Sequence, residues 1–287
     1  MDIKFNNGFN APMTQVEFDK ISKFIYNECG IKMPPVKKVM LEARLRKRLK
    51  ELNISSFGAY CDYVFSSDGI QNELIHMIDV VTTNKTDFFR EPHQFSFLVE
   101  KALPALINSH DAGLRRNLRL WSAGCSTGEE PYTLAIVLSE FALEYPGYDF
   151  SILASDISTQ VLEKARLGIY DINRIDPVPL SLKKKYFLKS KDAEKQLVRV
   201  IPELRQKISL RRINFVDDDF GVREMQDIIF CRNVIIYFDK QMQENLIKKL
   251  CQNIVPDGYL FVGHSETLFN LDLPLVQVAP SIYKKSV

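Results

Sequence analysis

The sequence predicts an α/β fold, in which a doubly wound parallel sheet with a small antiparallel β insertion follows an all-α N-terminal bundle. Residues 14–82 carry helical periodicity only. From about residue 90, short apolar runs alternate with helical periods, as in a parallel sheet covered by helices on both faces. Residues 168–212 break this alternation and predict the insertion. We therefore expect a helical domain over 1–90 and a sheet domain over 91–287.

Local signals divide the N-terminal domain into four short helices. Thr14 and Glu17 form a capping box, and Gly30 stops the first helix. Pro34-Pro35 starts the second helix. The third helix is capped by Ser55 or Ser56, and the fourth by Asp68. The apolar faces predicted to be buried in helices two to four are Leu41, Leu45, Leu49 and Leu52; Phe57, Tyr60, Cys61 and Val64; and Leu74, Ile75, Ile78 and Val81.

The sheet domain begins with a helix opened by Pro92. Strands and helices then alternate: strand 118–121, helix 130–141, strand 150–154, helix 161–167, strand 227–231, helix 241–254 and strand 259–263. The alternating runs 196–200 and 207–211 predict antiparallel strands of the insertion. The last apolar run, 275–283, predicts an edge strand.

Composition excludes several classes of protein. The 287 residues are 46% hydrophobic and 26% charged, and the net charge is +2, which argues against a dedicated nucleic-acid binder. No apolar run reaches the roughly 18 residues of a membrane helix, and residues 1–5 lack a leader profile, so we expect a cytoplasmic protein without membrane insertion. The five cysteines form no C-x-x-C pair, which predicts buried thiols and no metal site.

A loop of small residues marks the candidate ligand site. Gly124 and Gly128 lie between a predicted strand and a predicted helix, where they permit backbone conformations that a Cβ would block. Asp156 follows the next strand, where an acidic residue is placed to accept hydrogen bonds from both hydroxyls of a ribose. A merely structural tight turn is the alternative interpretation of the loop alone.

Two acidic residues, Glu129 and Glu130, begin the helix after this loop. A helix N-terminus attracts anions, so carboxylates placed there disfavour a pyrophosphate and favour a positively charged ligand without phosphate. S-Adenosylmethionine, with its sulfonium and ammonium groups, has that character.

Four motifs in this order resemble the chemotaxis-receptor glutamate O-methyltransferases, the CheR family, over about residues 14–285. They are TTNKTDFFRE at 82–91, SAGCSTGEEPY at 122–132, CRNVIIYF at 231–238 and GHSE at 263–266. The resemblance implies a Rossmann-like methyltransferase sheet. It also implies methyl transfer from S-adenosylmethionine to receptor glutamates, with S-adenosylhomocysteine as the product.

The resemblance also implies roles for individual residues. It assigns cofactor contacts to Asn84, Thr86, Arg90, Glu130, Asp156, Asn214, Phe215, Arg232 and Asn233. Arg90 suits a carboxylate because its planar fork holds two oxygens, and Arg232-Asn233 is placed near the transferred methyl. Arg90 and Tyr237 are the candidate catalytic residues; Tyr237 lines the methyl channel or is a core tyrosine. No general base is required, because a glutamate acceptor is ionised at neutral pH with a reference pKa of ~4.3, and His264 is expected to be structural.

The second helix is the strongest electrostatic feature of the sequence. Residues 37–51 contain seven basic and two acidic side chains. Arg44, Lys47 and Arg48 are predicted on its outer faces, and with the resemblance they become the candidate docking surface for the cytoplasmic helical region of methyl-accepting receptors. A solvated charged face is the alternative. The resemblance also suggests a receptor C-terminal peptide on the β insertion, and we expect a monomer.

Two other functions remain open at this point. One is a methyltransferase of nucleic acid or a small molecule, although an amino-methylating nucleic-acid enzyme would carry Asn/Asp-Pro-Pro-aromatic where this chain has Asn233-Val234-Ile235-Ile236. The other is an inactive receptor-binding adaptor, against which the intact motif residues argue.

Overall fold

The computed structural model describes residues 11–82, 84–192, 194–268 and 271–286. Residues 1–5, in which no leader profile was found, and Thr83 of the first motif lie outside them. The chain divides by its packing into two units. The helical unit comprises the chain up to residue 83 together with Tyr237–Asp239, and the sheet unit comprises Asn84–Ile236 and Lys240–Val287. This division comes earlier in the chain than the predicted boundary after residue 90.

The helical unit contains five α-helices in its described residues. They are α1 (Gln15–Cys29), α2 (Lys38–Glu51), α3 (Phe57–Val64), α4 (Ser67–Asn72) and α5 (Leu74–Val81). The predicted capping box of Thr14 and Glu17 is present, Gly30 ends α1 in the left-handed region, and Ser56 caps α3. These ends are correct in the sequence analysis because capping depends on residues only a few positions apart.

The prediction of the fourth helix is wrong in two respects. It is two helices, α4 and α5, and Ser66 rather than Asp68 caps the first of them. Glu73 lies between the two helices, and its buried side chain pairs with Arg48. Ile75, predicted to be buried, is 36% exposed.

The sheet unit contains seven α-helices in its described part. They are α6 (Pro92–Phe97), α7 (Leu103–His110), α8 (Glu129–Ala142), α9 (Thr159–Leu167), α10 (Leu180–Tyr186), α11 (Pro202–Gln206) and α12 (Lys240–Gln252). A π-helical turn, Leu98–Ala102, joins α6 to α7. Pro104 follows this turn and has no N–H to donate to the carbonyl four residues earlier. The wider π-helical turn accommodates this missing α-helical hydrogen bond.

Ten strands are assigned within the described residues. They are β1 (Leu118–Ala123), β2 (Phe150–Asp156), β3 (Ile169–Asp171), β4 (Phe187–Lys189), β5 (Leu197–Val200), β6 (Ile208–Arg212), β7 (Gln226–Cys231), β8 (Ile254–Val262), β9 (Leu275–Ala279) and β10 (Ile282–Lys285). The main sheet has the order β6-β2-β1-β7-β8-β10-β9. Strands β6, β2, β1, β7 and β8 run parallel, and β10 runs antiparallel to both of its neighbours, β8 and β9. The strand order reverses at β1, so the carboxyl ends of β1 and its neighbours form the expected ligand crevice.

The small antiparallel sheet is present but differs from the prediction. Its order is β3-β5-β4, so the run 196–200 was placed correctly. The assignment of the run 207–211 to the small sheet was wrong, because this run is β6, a parallel edge strand of the main sheet that pairs with β2. In an edge strand with one solvated face, apolar and polar residues alternate as they do in an antiparallel strand. The residue pattern alone therefore does not distinguish a parallel edge strand from an antiparallel strand. The last apolar run forms a hairpin of β9 and β10 rather than one strand.

The core of the sheet unit lies between the main sheet and its helices. Leu120 of β1, Ile152 of β2, Phe230 of β7 and Phe261 of β8 are fully buried in it. The rings of Phe230 and Phe261 stack with centroids 4.2 Å apart. In the described residues, no helix combines the length and apolarity needed to cross a membrane. The five cysteines are buried and reduced.

Candidate cofactor site

Two glycines in the left-handed region shape the loop after β1. Gly124 has φ +86° and Gly128 has φ +99°. The N–H groups of Gly124 and Cys125 both donate to the Ser155 carbonyl in β2, at 2.8 Å each. Gly128 is the N-cap of α8. The loop therefore ties the ends of β1 and β2 together and leads directly into the helix.

Gly124 also allows the loop after β7 to approach closely. A Cβ at this position would lie 2.4 Å from Cγ2 of Val234. Both the φ of Gly124 and the lack of space beside it disfavour a larger residue.

Asp156 ends β2 with a buried carboxylate. Its Oδ2 accepts the Ser126 N–H at 2.9 Å, and its Oδ1 accepts the Ser158 N–H at 3.0 Å. Only 8% of the residue is exposed. Asp156 thus fixes the glycine loop, and its assignment to the ribose stays a prediction.

A buried ion pair joins the first turn of α8 to the end of β7. Arg232 Nε donates to Glu130 Oε2 at 2.8 Å, and Ser122 Oγ donates to Glu130 Oε1 at 2.7 Å. Arg232 Nη1 donates to Gln94 Oε1 at 3.0 Å and to the Arg90 carbonyl at 2.9 Å. The Arg232 side chain is 2% exposed and that of Glu130 is 9% exposed. Arg232 therefore orients Glu130 and the Arg90 backbone through internal contacts.

The neighbouring carboxylate, Glu129, has an arginine partner too. Arg174 Nη2 donates to Glu129 Oε1 at 2.6 Å, and Glu129 is 1% exposed. Glu129 and Glu130 are thus each paired with a guanidinium, which the sequence analysis did not anticipate. Sequence reasoning missed Arg174, since no local signal connects residues 45 positions apart.

Main-chain contacts hold the segment 84–90 beside the glycine loop. The Asn84 carbonyl accepts Ser126 Oγ at 3.0 Å, and the Thr86 carbonyl accepts Arg174 Nη2 at 2.6 Å. Arg90 Nη1 donates to a carbonyl of the same segment at 3.2 Å. The Asn84 main chain thus contacts the loop after β1, and Arg174 holds the Thr86 main chain. The assignment of Asn84, Thr86 and Arg90 to the cofactor stays a prediction.

The loop after β6 carries Asn214 and Phe215 to the same edge of the sheet, because β6 pairs with β2 up to Asp156. Phe215 is 8% exposed, and its ring packs edge-on against Phe220 at 5.7 Å. Lys249 Nζ of α12 donates to the Phe215 carbonyl at 3.4 Å. The assignment of Asn214 and Phe215 to the adenine stays a prediction.

Glu266 clamps the loops after β7 and β8. Its Oε2 accepts the N–H groups of Gly263 at 2.6 Å and Asn233 at 2.8 Å, and its Oε1 accepts that of Ile236 at 3.3 Å. Asn233 has φ +58°, which the clamp stabilises. Burial raises the pKa of the Glu266 carboxyl above its ordinary value. The GHSE motif contains Glu266, but its spacing gave no signal for this contact.

The other titratable groups near the crevice are Cys125, Cys231 and His264. Burial raises the pKa of the Cys125 and Cys231 thiols well above their ordinary value, so neither is a thiolate at neutral pH. His264 is exposed, its backbone N–H donates to Glu91 Oε1 at 3.1 Å, and its ring contacts that of His93 edge-on.

The family models match this chain almost throughout. "CheR methyltransferase, all-alpha domain" matches residues 16–82, and "CheR methyltransferase, SAM binding domain" matches residues 84–281. The chain belongs to the CheR methyltransferase family. The sheet unit is accordingly an S-adenosylmethionine-binding domain, and the protein is an S-adenosylmethionine-dependent methyltransferase.

Curated CheR relatives match over nearly the full length. The chain is 39% identical over 285 residues to the chemotaxis protein methyltransferase of Borreliella burgdorferi, covering 99% of this chain and 98% of that protein. It is 37% identical to chemotaxis protein methyltransferase 2 of Pseudomonas aeruginosa, covering 94% and 93% of the two chains. It is also 37% identical to the chemotaxis protein methyltransferase of Salmonella typhimurium, covering 90% and 86%.

In this CheR chain, Tyr237 lies in the helical unit. Its carbonyl accepts the Lys32 N–H at 2.9 Å, and Lys37 Nζ lies 5.4 Å from its ring centroid. The assignment of Tyr237 to the methyl channel stays a prediction.

Two of the three basic residues chosen as a CheR docking surface have structural contacts. Arg44 Nη1 donates to the carbonyls of Val81 and Thr82 at 2.7 and 2.8 Å, which caps the end of α5. Arg48 makes a two-bond ion pair with Glu73, at 2.8 and 2.7 Å. Both side chains are half-buried and cross-link helices of the bundle, which the prediction of outer faces did not anticipate.

Lys47 differs from the other two because it is exposed on α2. Lys50, Ala43 and Val39 are exposed on the same helix, and Val39 is 78% exposed. Sequence reasoning missed Val39 and Lys50; the spacing of 39, 43, 47 and 50 was the available signal, since it places them along one helical face. We call these four residues the outer α2 face.

Proposed function

We propose that this protein transfers the methyl group of S-adenosylmethionine to glutamate side-chain carboxylates of chemotaxis receptors, giving methyl esters. The observation that carries the proposal is the match to chemotaxis protein methyltransferases across both units. The proposed partner is the cytoplasmic helical region of the receptors, which places the enzyme in the cytoplasm.

The residues around the crevice fit the cofactor. We assign the ribose to Asp156, whose buried carboxylate ends β2 and accepts the Ser126 N–H of the glycine loop. Asn214 and Phe215 would flank the adenine, and the segment containing Asn84, Thr86 and Arg90 would hold the methionine end. Glu130 and Asn233, fixed by Arg232 and Glu266 respectively, would complete the site.

The chain's contribution to the chemistry is placement and exclusion of water. Bound S-adenosylmethionine supplies an electrophilic methyl group on a sulfonium. A glutamate acceptor is already ionised at neutral pH, so no residue has to remove a proton. In-line placement of the acceptor accounts for up to about 7–11 kcal/mol of rate enhancement in well-oriented reactions. The protonated thiols and the exposed His264 are consistent with a site that uses no base.

Incubation with radiolabelled S-adenosylmethionine and receptor-bearing membranes tests the proposal. We expect label on a receptor band that is released by mild base, because methyl esters hydrolyse there. Label on RNA or on a small molecule would instead identify another acceptor. Cofactor binding without label on any acceptor would support an adaptor.

For the docking surface we propose the outer α2 face. Lys47 and Lys50 supply positive charge that is complementary to a glutamate-rich receptor helix, and Val39 and Ala43 supply apolar contact. The edge strands of the small sheet, β3 and β4, are the proposed binding place for a receptor C-terminal peptide as an added strand.

Charge reversal tests this surface. Lys47→Glu/Lys50→Glu should raise the apparent KM for receptor and leave S-adenosylhomocysteine binding unchanged. The matched control is Lys20→Glu/Lys23→Glu, which reverses two exposed lysines on α1. Wild-type methylation should fall with salt, because exposed charges are screened beyond ~8–10 Å. Equal KM values for the two double variants would show that the outer α2 face is only solvated.

A further inference from the structure

Arg174 connects the small sheet to the cofactor segment. It lies in the 3₁₀ turn Ile172–Ile175, directly after β3. Its Nη2 donates to Glu129 Oε1 and to the Thr86 carbonyl, each at 2.6 Å, and its Nη1 donates to Asp87 Oδ1 at 3.3 Å. One guanidinium therefore holds the first turn of α8 and two successive residues of the segment 84–90.

The acceptors of Arg174 differ in how much they depend on it. The Glu129 side chain is 1% exposed, whereas Asp87 and Arg174 are each 43% exposed. Glu129 Oε2 is already occupied by the Thr127 hydroxyl at 2.6 Å. Without Arg174, Glu129 would be a buried charge with its countercharge removed, and the Thr86 carbonyl would lose this donor.

A second contact from the insertion reaches the same loop. The Tyr170 hydroxyl of β3 donates to the Thr127 carbonyl at 2.7 Å, and burial raises the pKa of that hydroxyl so that it stays a donor. The Phe88 ring packs edge-on against Tyr170 at 5.1 Å and against Phe187 of β4 at 5.5 Å. The small sheet thus braces both the glycine loop and the segment that follows Thr86.

We propose that Arg174 is a positioning residue for cofactor binding: it fixes the Thr86 backbone against α8 and so sets the shape of the segment 84–90. The inference rests on the proposed assignment of this segment to S-adenosylmethionine. Arginine is required because its planar fork supplies donors in several directions at once. Lysine keeps the charge opposite Glu129 but lacks the fork.

Calorimetric binding of S-adenosylhomocysteine to the full-length protein tests the proposal. Arg174→Gln should weaken binding by about tenfold or more, the size expected when charge-assisted hydrogen bonds are lost. Arg174→Lys should restore part of the loss. The control is Arg166→Gln, which breaks an exposed arginine–carboxylate pair with Glu163 on α9 and should leave binding within about twofold. In turnover, KM for S-adenosylmethionine should rise more than kcat falls.

A double variant separates positioning from stability. Glu129→Gln/Arg174→Gln removes both charges, so the thermal stability lost in Arg174→Gln should return while S-adenosylhomocysteine binding stays weak. Recovery of both S-adenosylhomocysteine binding and stability in the double variant would overturn the proposal. Equal S-adenosylhomocysteine affinities of Arg174→Gln and the Arg166→Gln control would overturn it as well. Asp156→Ala reports on the site itself. If it binds as the wild type does, the proposed cofactor assignment fails as well; if it weakens binding while Arg174→Gln does not, only this inference fails.

Discussion

Replacing Arg232 by methionine should destabilise the sheet unit more than any exposed ion-pair change. The substitution keeps the length of the side chain but removes the donors to Glu130 Oε2, Gln94 Oε1 and the Arg90 carbonyl. Breaking a buried pair by removing one partner costs about 3–5 kcal/mol, because the other charge is left uncompensated. The 2% exposure of Arg232 and the 9% exposure of Glu130 place this pair in that class.

For a unit of this size each kcal/mol shifts Tm by about 2–4 °C, so the expected decrease is about 6–20 °C. Thermal unfolding followed by circular dichroism measures it. The control is Arg119→Met, because Arg119 and Glu224 are 36% and 66% exposed and such pairs contribute about 0–1 kcal/mol. Arg232→Met/Glu130→Gln should recover most of the loss. A Tm of Arg232→Met equal to that of the control would refute the reasoning.

Three further predictions concern the crevice. Asp156→Ala should weaken S-adenosylhomocysteine binding, because each hydrogen bond to a charged acceptor contributes about 1.5–3 kcal/mol; unchanged calorimetric affinity would place the ribose elsewhere. His264→Asn should keep methyl transfer within about tenfold, under ~1.4 kcal/mol, and a thousandfold loss with intact cofactor binding would give His264 a chemical role. Because the pKa of Glu266 is raised in the folded state, the folded protein keeps this proton at pH values above 4.5 at which the unfolded chain has released it. The free energy of unfolding that this group contributes therefore falls as the pH rises above 4.5 and returns in acid. Urea unfolding from pH 4.5 to 7 should show that the free energy of unfolding of the wild type falls relative to that of Glu266→Gln as the pH rises. Parallel pH profiles of the two proteins would contradict this prediction.

The features that the sequence predicted correctly depend on interactions between residues close together in the chain. The capping box at Thr14, the cap at Ser56 and the glycine loop before α8 depend on neighbours in the chain, and sequence alone identified them. The break between α4 and α5 was missed because Glu73 turns inward to a partner 25 residues away.

The candidate site shows the same division. Positions at strand ends, such as Asp156 and Asn233, follow from the alternation of strands and helices. The partners that neutralise Glu129 and Glu130 lie 45 and 102 residues distant, so the sequence showed two carboxylates and the structure shows two ion pairs. The edge strand β6 was assigned to the wrong sheet because its alternation reports one solvated face and not the direction of its partner.

The discontinuity of the helical unit has a consequence for folding during synthesis. Tyr26 Oη donates to Asp239 Oδ2 at 2.5 Å, and the Lys32 N–H donates to the Tyr237 carbonyl at 2.9 Å. The ribosome releases α1 to α5 long before residue 239 exists, and chains emerge at about 5–20 residues per second. The N-terminal helices are therefore synthesised roughly 8–30 s before the segment that completes their unit.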